Sequence, residues 1–400
     1  MNNRVKIISL FFQELSRFCD YAILHHVGNI FDFNSDIDFI CGCNKVEVLC
    51  FINKFVSKKN LLLVSFFTID VDTYRFDILY VGDNGLEKIE LDCVCNTEQK
   101  DLLAIDCRSL LERKIKVRVK NSMFYKINNQ DEVGFYVKKK ALKAEGIKEH
   151  IEYLKALDSS FTTSSLTSDY NEWRSYFGSK LFRLKYIENK VRLLLSRVKE
   201  NPSLTIAFLG PDGSGKSTII DELLSAPFFI NKYYFHLKPI HSDEHSEIVV
   251  DPHKLAVYSK IKSYLKLIFF IYQYNIGWLM NILKLKIKSS LIIFDRYYDD
   301  LLIDKKRFRY GGKTKIAKFV QKFIPKPDFY FVLSGDAELI YNRKKEVPFS
   351  ELQRQLTLYE SLSRENKYIM IKVDKEKDEV IKEVIGIIAK VMNKRYISQK

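Results

Sequence analysis

The chain has 400 residues, 46% of them hydrophobic and 29% charged, with 15 Gly and 8 Pro. That length is more than one core holds comfortably, and that composition excludes disorder and low complexity. The net charge of +15 is uneven: residues 101–200 carry 21 basic against 13 acidic groups and residues 301–400 carry 23 against 13, which suits either anionic partners or solvated lysine-rich helix faces.

Residues 1–105 read as a small α/β domain with a helix and strands at 36–41, 61–69 and 74–81. All seven cysteines fall by position 107, in an odd number and behind a charged first stretch, which predicts reduced thiols in the cytoplasm. Cys41-x-Cys43 and Cys93-x-Cys95 lack the two-residue gap and nearby His of a familiar zinc site, and on strands such spacing puts two small side chains on one face. Alternation in Asp36-Ile37-Asp38 places both carboxylates together, and Asp77 on a later strand is expected to join them as a magnesium site.

Residues 106–200 read as a basic helical connector with helices at 137–157 and 181–198, separated by a loop at the Ser/Thr cluster 159–168. Asn201-Pro202-Ser203 breaks the helix, and 201–400 forms the third region, an α/β domain in which strand 204–209 comes first.

That strand runs into Gly210-Pro211-Asp212-Gly213-Ser214-Gly215-Lys216-Ser217-Thr218 and then a helix at 219–224, the order a phosphate-binding loop requires. The glycines turn backbone N–H groups toward phosphates, Lys216 reaches the β- and γ-phosphates of ATP, and the Ser217 hydroxyl ligates Mg2+. A strand at 291–294 ends in Asp295-Arg296-Tyr297, where Asp295 is placed to hold Mg2+ and Arg296 to clamp a second phosphate. After a third strand at 328–333, Arg343, Lys344 and Lys345 suit a closing lid. The expected architecture is therefore a P-loop NTPase fold, a parallel sheet flanked by helices, behind the smaller domain and its connector.

The apolar stretch 267–283 is shorter than a membrane span and is interrupted by Gln273, Asn275 and Asn281. A buried or interfacial helix is expected, its flanking lysines keeping peripheral contact with the inner membrane face open. A nucleic-acid partner is not expected.

In these motifs and their order, residues 203–395 resemble the thymidylate kinase family. The resemblance implies that Asp212 faces the acceptor, that Arg296 with Tyr297 binds it, that Lys238 replaces a phosphate-binding Arg, and that Asp374 lies near the adenine. Gly213 stands where some members carry an arginine, which moves the catalytic cation to the lid, most plausibly Arg343. The run from Tyr298 to Arg307 replaces the family's thymidine-recognising segment, and its three carboxylates and three cations suit a polar, hydroxylated acceptor. The first domain, with Gly28-Asn29, Asp36-Ile37-Asp38 and Asp77, resembles the nucleotidyltransferase superfamily. The pair together looks like bacterial fusion proteins associated with surface polysaccharide synthesis, which implies a saccharide or glycolipid acceptor. A nucleoside monophosphate kinase and a non-catalytic ATP-binding scaffold are the alternatives.

Overall fold

A computed structural model describes the chain except for residues 1–2, 33–35, 71, 83–84, 96–105, 228, 230, 241–252, 254, 363 and 398–400. Ser35 and the expected domain end at 105 thus lie outside the described residues. The chain divides into two compact units, residues 1–200 with 390–400, and 201–389.

In the first unit, β1 (Tyr21–Ile23), β2 (Ile37–Cys41), β3 (Leu62–Asp70), β4 (Thr73–Gly82), β5 (Gly85–Cys95), β6 (Ile115–Val119) and β7 (Ser122–Lys126) form one sheet in the order β3-β4-β5-β2-β1-β7-β6. Strand alternation gives β2 two unlike faces. Phe39 and Cys41 share one with Phe11 and Phe12 of α1 (Asn3–Phe18), whose rings meet Phe39 edge-on. Ile40 joins Ala22, Leu24, Val94, Ile127 and Phe135 in a second apolar cluster. A further helix, α2 (Lys45–Lys58), follows β2, and α3 (Cys107–Glu112) precedes β6.

Two expectations for residues 106–200 fail. Strands β6 and β7 belong to the first sheet, so this stretch is not a separate helical connector. Its helices also break elsewhere: α4 (Asn129–Lys143) stops where Ala144 adopts a left-handed φ of 60°, and α5 (Ile151–Leu157) is a new helix. The Ser/Thr cluster is a helix start rather than a loop. Thr162 Oγ1 accepts from the Ser165 N–H while Ser165 Oγ accepts from the Thr162 N–H, a reciprocal cap opening α6 (Thr163–Gly178). The unit continues through α7 (Lys180–Glu200).

In the second unit, β8 (Leu204–Leu209), β9 (Asn231–His236), β10 (Ser290–Asp295), β11 (Phe329–Ser334) and β12 (Tyr368–Lys372) form an all-parallel sheet in the order β12-β11-β8-β10-β9. Every residue of β8 and β11 is buried, as near-continuous apolar runs in a covered parallel sheet require. The helices are α8 (Lys216–Ser225), α9 (Lys260–Gly277), α10 (Leu283–Lys286), α11 (Asp300–Ile303), α12 (Thr314–Val320), α13 (Ala337–Arg343), α14 (Phe349–Leu362) and α15 (Lys377–Ile397), the last of which passes into the first unit at residue 390. This is the expected P-loop NTPase-like architecture. Strands β10 and β9 lie on one side of β8 and β11 and β12 on the other, so the chain reverses direction at the carboxyl end of β8, where such sheets take their ligands.

Candidate functional site

The loop after β8 is built around positions that exclude a side chain. Gly210 has φ 147°, and a Cβ there would stand 2.8 Å from the Leu333 carbonyl; Gly213 has φ 83°, and its Cβ would stand 2.9 Å from the Ile340 carbonyl. The loop is thereby pressed between the end of β11 and the last turn of α13. Lys216 is buried, and its Nζ donates to Gly210 O (2.9 Å) and Pro211 O (2.8 Å). Burial and the nearby Arg296 charge bring its amine down to about 8. Ser214 Oγ donates to Pro211 O, and Ser217 and Thr218 are exposed in the first turn of α8.

Strand β10 sets Asp295 opposite Phe208 of β8 and His236 of β9. Asp295 Oδ1 is buried without a hydrogen-bond partner among the described residues, while Oδ2 accepts from Tyr234 (3.4 Å). Burial alone would raise this carboxyl, but the His236 hydrogen bond and the Lys216 and Arg296 charges hold it below the usual range. An ionised oxygen with an unspent acceptor position suits a hard cation, so Asp295 and the Ser217 hydroxyl fit Mg2+.

Arg296 has a left-handed φ of 68° and is buried. One of its nitrogens donates to Asp212 Oδ1 (2.5 Å); the other lies 3.5 Å from Asp300 Oδ2 and donates to Gly210 O at 3.4 Å. Asp212 also pairs with Arg307, which approaches Glu346 beyond α13 (3.8 Å). Despite burial, the Arg296, Lys216 and Arg307 charges and a Glu346 hydrogen bond keep Asp212 far below the usual range. Asp212 therefore aims two guanidinium groups.

The long apolar stretch has a structural task. Its buried side carries Leu267, Phe270, Tyr274 and Ile282; Ile268, Phe269, Tyr272, Leu279 and Met280 are exposed. Tyr274 Oη donates to Leu237 O (2.5 Å) and Asn281 Nδ2 to Pro239 O (2.9 Å), and a Cβ on Gly277 would stand 2.5 Å from Pro239 O. The helix thus pins the segment just past β9 that carries Lys238, whose Nζ lies 5.2 Å from the Phe270 ring centre. Burial lowers the Lys238 amine. No described helix is long and apolar enough to cross a membrane.

Arg343 ends α13, exposed, with both terminal nitrogens 3.5 Å from Val373 O, beside the exposed Asp374. Lys344 pairs with Glu346 at 2.5 Å.

Several sequence expectations are corrected. Tyr297 does not face an acceptor: it is fully buried, and its hydroxyl donates to Pro325 O (2.5 Å). The three carboxylates after it are likewise buried. Asp299 accepts from Gln321 and Tyr368, Asp300 accepts from Tyr359 (2.6 Å), and Asp304 pairs with His253 (3.2 Å). They brace the core rather than a polar acceptor; of that run, Asp300 also meets Arg296 and Arg307 meets Asp212. In the first unit the third carboxylate is Asp92, not Asp77. Strand β5 pairs with β2 so that Asp92 sits opposite Asp38, and Asp36, Asp38 and Asp92 bring carboxylate oxygens within 4.8 Å of one another. Asp77 lies one strand further out, opposite Glu90 and 3.5 Å from Arg75. His25 Nε2 (2.6 Å) and Lys139 Nζ (2.9 Å) both reach Asp38; despite burial they pull it well below its usual range. Burial pushes Asp92 up to about 8. Glu346 and Asp92 were missed, and Arg307 was read only as one charge of the 298–307 run, because nothing local marks a charge whose partner lies on another element.

No protein-family model matches the chain. A probable thymidylate kinase 1 of Saccharolobus solfataricus is 29% identical over 123 residues, covering 29% of this chain and 61% of that protein. The chain therefore spans about three fifths of the length of that curated relative. Among solved structures, thymidylate kinases of Ehrlichia chaffeensis and Candida albicans are both 18% identical; the matches cover 46% and 48% of this chain and 98% and 93% of theirs, with TM-scores of 0.32 and 0.36.

Proposed function

We propose that the second unit is an ATP- and Mg2+-dependent phosphotransferase whose acceptor carries a phosphate. The observation that carries this reading is the convergence of a glycine-built loop, a buried Lys216 and the half-partnered Asp295 at the carboxyl ends of two adjacent parallel strands. The sequence similarity to a probable thymidylate kinase supports it.

Lys216 leaves the loop carbonyls for the β- and γ-phosphates, whose negative charge holds its proton on near neutral pH. Asp295 and Ser217 would hold Mg2+, which would supply charge neutralisation at the phosphates. Backbone N–H groups of residues 210–218 line the donor's phosphates, and Asp374 lies at the expected adenine end. Arg296, aimed by Asp212 and Asp300, receives the acceptor's phosphate, with Lys238 as a second cation and Arg307 steadied at the rim. Arg343, whose present contacts are long, closes with the lid over the migrating group.

Burial of Asp299, Asp300 and Asp304 removes the sequence argument for a hydroxylated sugar; the cations left facing the site favour a phosphorylated acceptor, nucleoside monophosphate or sugar phosphate. Transfer of the γ-phosphate from ATP to a panel of thymidylate, other nucleotides, sugar phosphates and lipid-linked saccharides is the test, with Lys216→Ala as control. Failure to label any acceptor, together with ATP turnover that Lys216→Ala leaves intact, would sink the reading.

The convergence of Asp36, Asp38 and Asp92 favours a second reading, that the first unit binds Mg2+ and a nucleoside triphosphate as a nucleotidyltransferase. Joint Asp36→Ala and Asp38→Ala replacement that changes no activity and no triphosphate binding would overturn it.

A further inference from the structure

The face of β2 and β5 turned away from these carboxylates carries sulfur. Cys41 and Cys95 are register partners on adjacent parallel strands, and Cys93 lies two residues back on the same face. All three are buried. Their sulfurs lie within 4.8 Å of one another, with Cys41 to Cys93 at 3.4 Å and Cys93 to Cys95 at 4.0 Å. Cys19, just past α1, and Cys43, just before α2, also interact with the Cys41 sulfur. Five of the seven cysteines thus converge from three stretches of chain.

Two observations separate this cluster from ordinary packing of small apolar side chains. Thiols placed by volume alone have no reason to gather from 19, 41–43 and 93–95 on one point. A tetrahedral ion with Zn–S bonds of ~2.3 Å holds its sulfurs roughly 3.8 Å apart, and the two observed spacings bracket that value.

We propose that Cys41, Cys93 and Cys95, with a fourth sulfur from Cys19 or Cys43, form a structural zinc site in the first unit. Soft thiolates in a tetrahedral set select zinc among abundant divalent ions, and each coordinating thiol gives its proton to solvent as its Zn–S bond forms. The partly exposed Cys19 marks the side from which the ion enters. The feature that looked like mere strand packing in the sequence, alternate cysteines on one face, is what builds the site once β2 and β5 lie side by side.

The test is the metal content of the full chain, purified reduced and without added metal, followed by Co2+ titration of the metal-stripped protein. The proposal expects about one zinc per chain and a thiolate-to-cobalt charge-transfer band. Cys93→Ser and Cys95→Ser abolish both, whereas Cys50→Ser, on an exposed thiol outside the cluster, and Asp36→Ala with Asp38→Ala do not. Background zinc with no cobalt band in the unsubstituted chain overturns it, as does an intact mass two hydrogens light, which marks a Cys41–Cys93 disulfide instead. Zinc that persists in both serine variants also overturns it. Should those variants fail to fold, the unsubstituted chain alone decides.

Discussion

The charge clusters around Arg296 in the second unit and Arg75 in the first are partnered in opposite ways. In the second, the buried acids around Arg296 have close partners: Asp212 meets two guanidinium groups, and Asp300 meets Arg296 and the Tyr359 hydroxyl. In the first, Arg75 is placed among Asp77 (3.5 Å), Asp92 (3.4 Å) and Glu90, and among the described residues its Nε and Asp92 Oδ1 make no hydrogen bond of ordinary geometry. A closed network holds side chains for a reaction, while an open one retains acceptor positions for something still to bind.

The largest expected effect is on the closed network's chemistry. Lys216→Ala should lower the rate of phosphoryl transfer about 100- to 1000-fold, measured as γ-phosphate release or transfer, with little change in unfolding.

Next, Arg296→Met strands Asp212 and Asp300, and should destabilise the second unit by about 3–5 kcal/mol in urea unfolding. Arg307→Met, at the more open rim, should cost far less. Equal losses would mean that the network is not centred on Arg296. The chain's two tryptophans, Trp173 and Trp278, fall one in each unit, so Trp→Phe variants report each unit's unfolding separately.

The same probes sharpen the comparison through pH. Burial pushes Asp77 in the first unit and Asp300 in the second up to about 6, from an ordinary 3.8. A raised carboxyl favours the folded state fully below pH about 4, and that contribution fades as pH rises through 6; the full span is at most on the order of 3 kcal/mol for each. Asp77→Asn should flatten the urea midpoint of the first unit between pH 4 and 7, and Asp300→Asn that of the second. A pH profile of the first unit that Asp77→Asn leaves unaltered would remove Asp77 from the open network.

The smallest effect comes from Tyr359→Phe, which deletes one buried hydrogen bond to Asp300 and should cost about 1 kcal/mol in the second unit alone.

Much of the second unit was legible because its chemistry is contiguous. Strand, glycine loop and helix occupy 204–225 without interruption, and Asp295-Arg296 follows its own apolar strand, so local pattern suffices to place them. The breaks in residues 129–178 were less legible, since a left-handed Ala144 and a Thr162 cap look like continuing helix and like loop respectively. The burial of Asp299, Asp300 and Asp304 was invisible, because their partners Gln321, Tyr359, Tyr368 and His253 lie on separate elements.

Spacing within a few residues was enough to read the strand, glycine loop and helix at 204–225, the parallel-sheet class and the nearness of Asp36 to Asp38. Only the tertiary structure decided that Asp92 replaces Asp77, that Tyr297 turns into the core, that α9 pins Lys238, and that two Cys-x-Cys pairs meet. Strand pairing fixes these: alternation tells which residues share a face, but only the choice of neighbouring strand tells what they face it with.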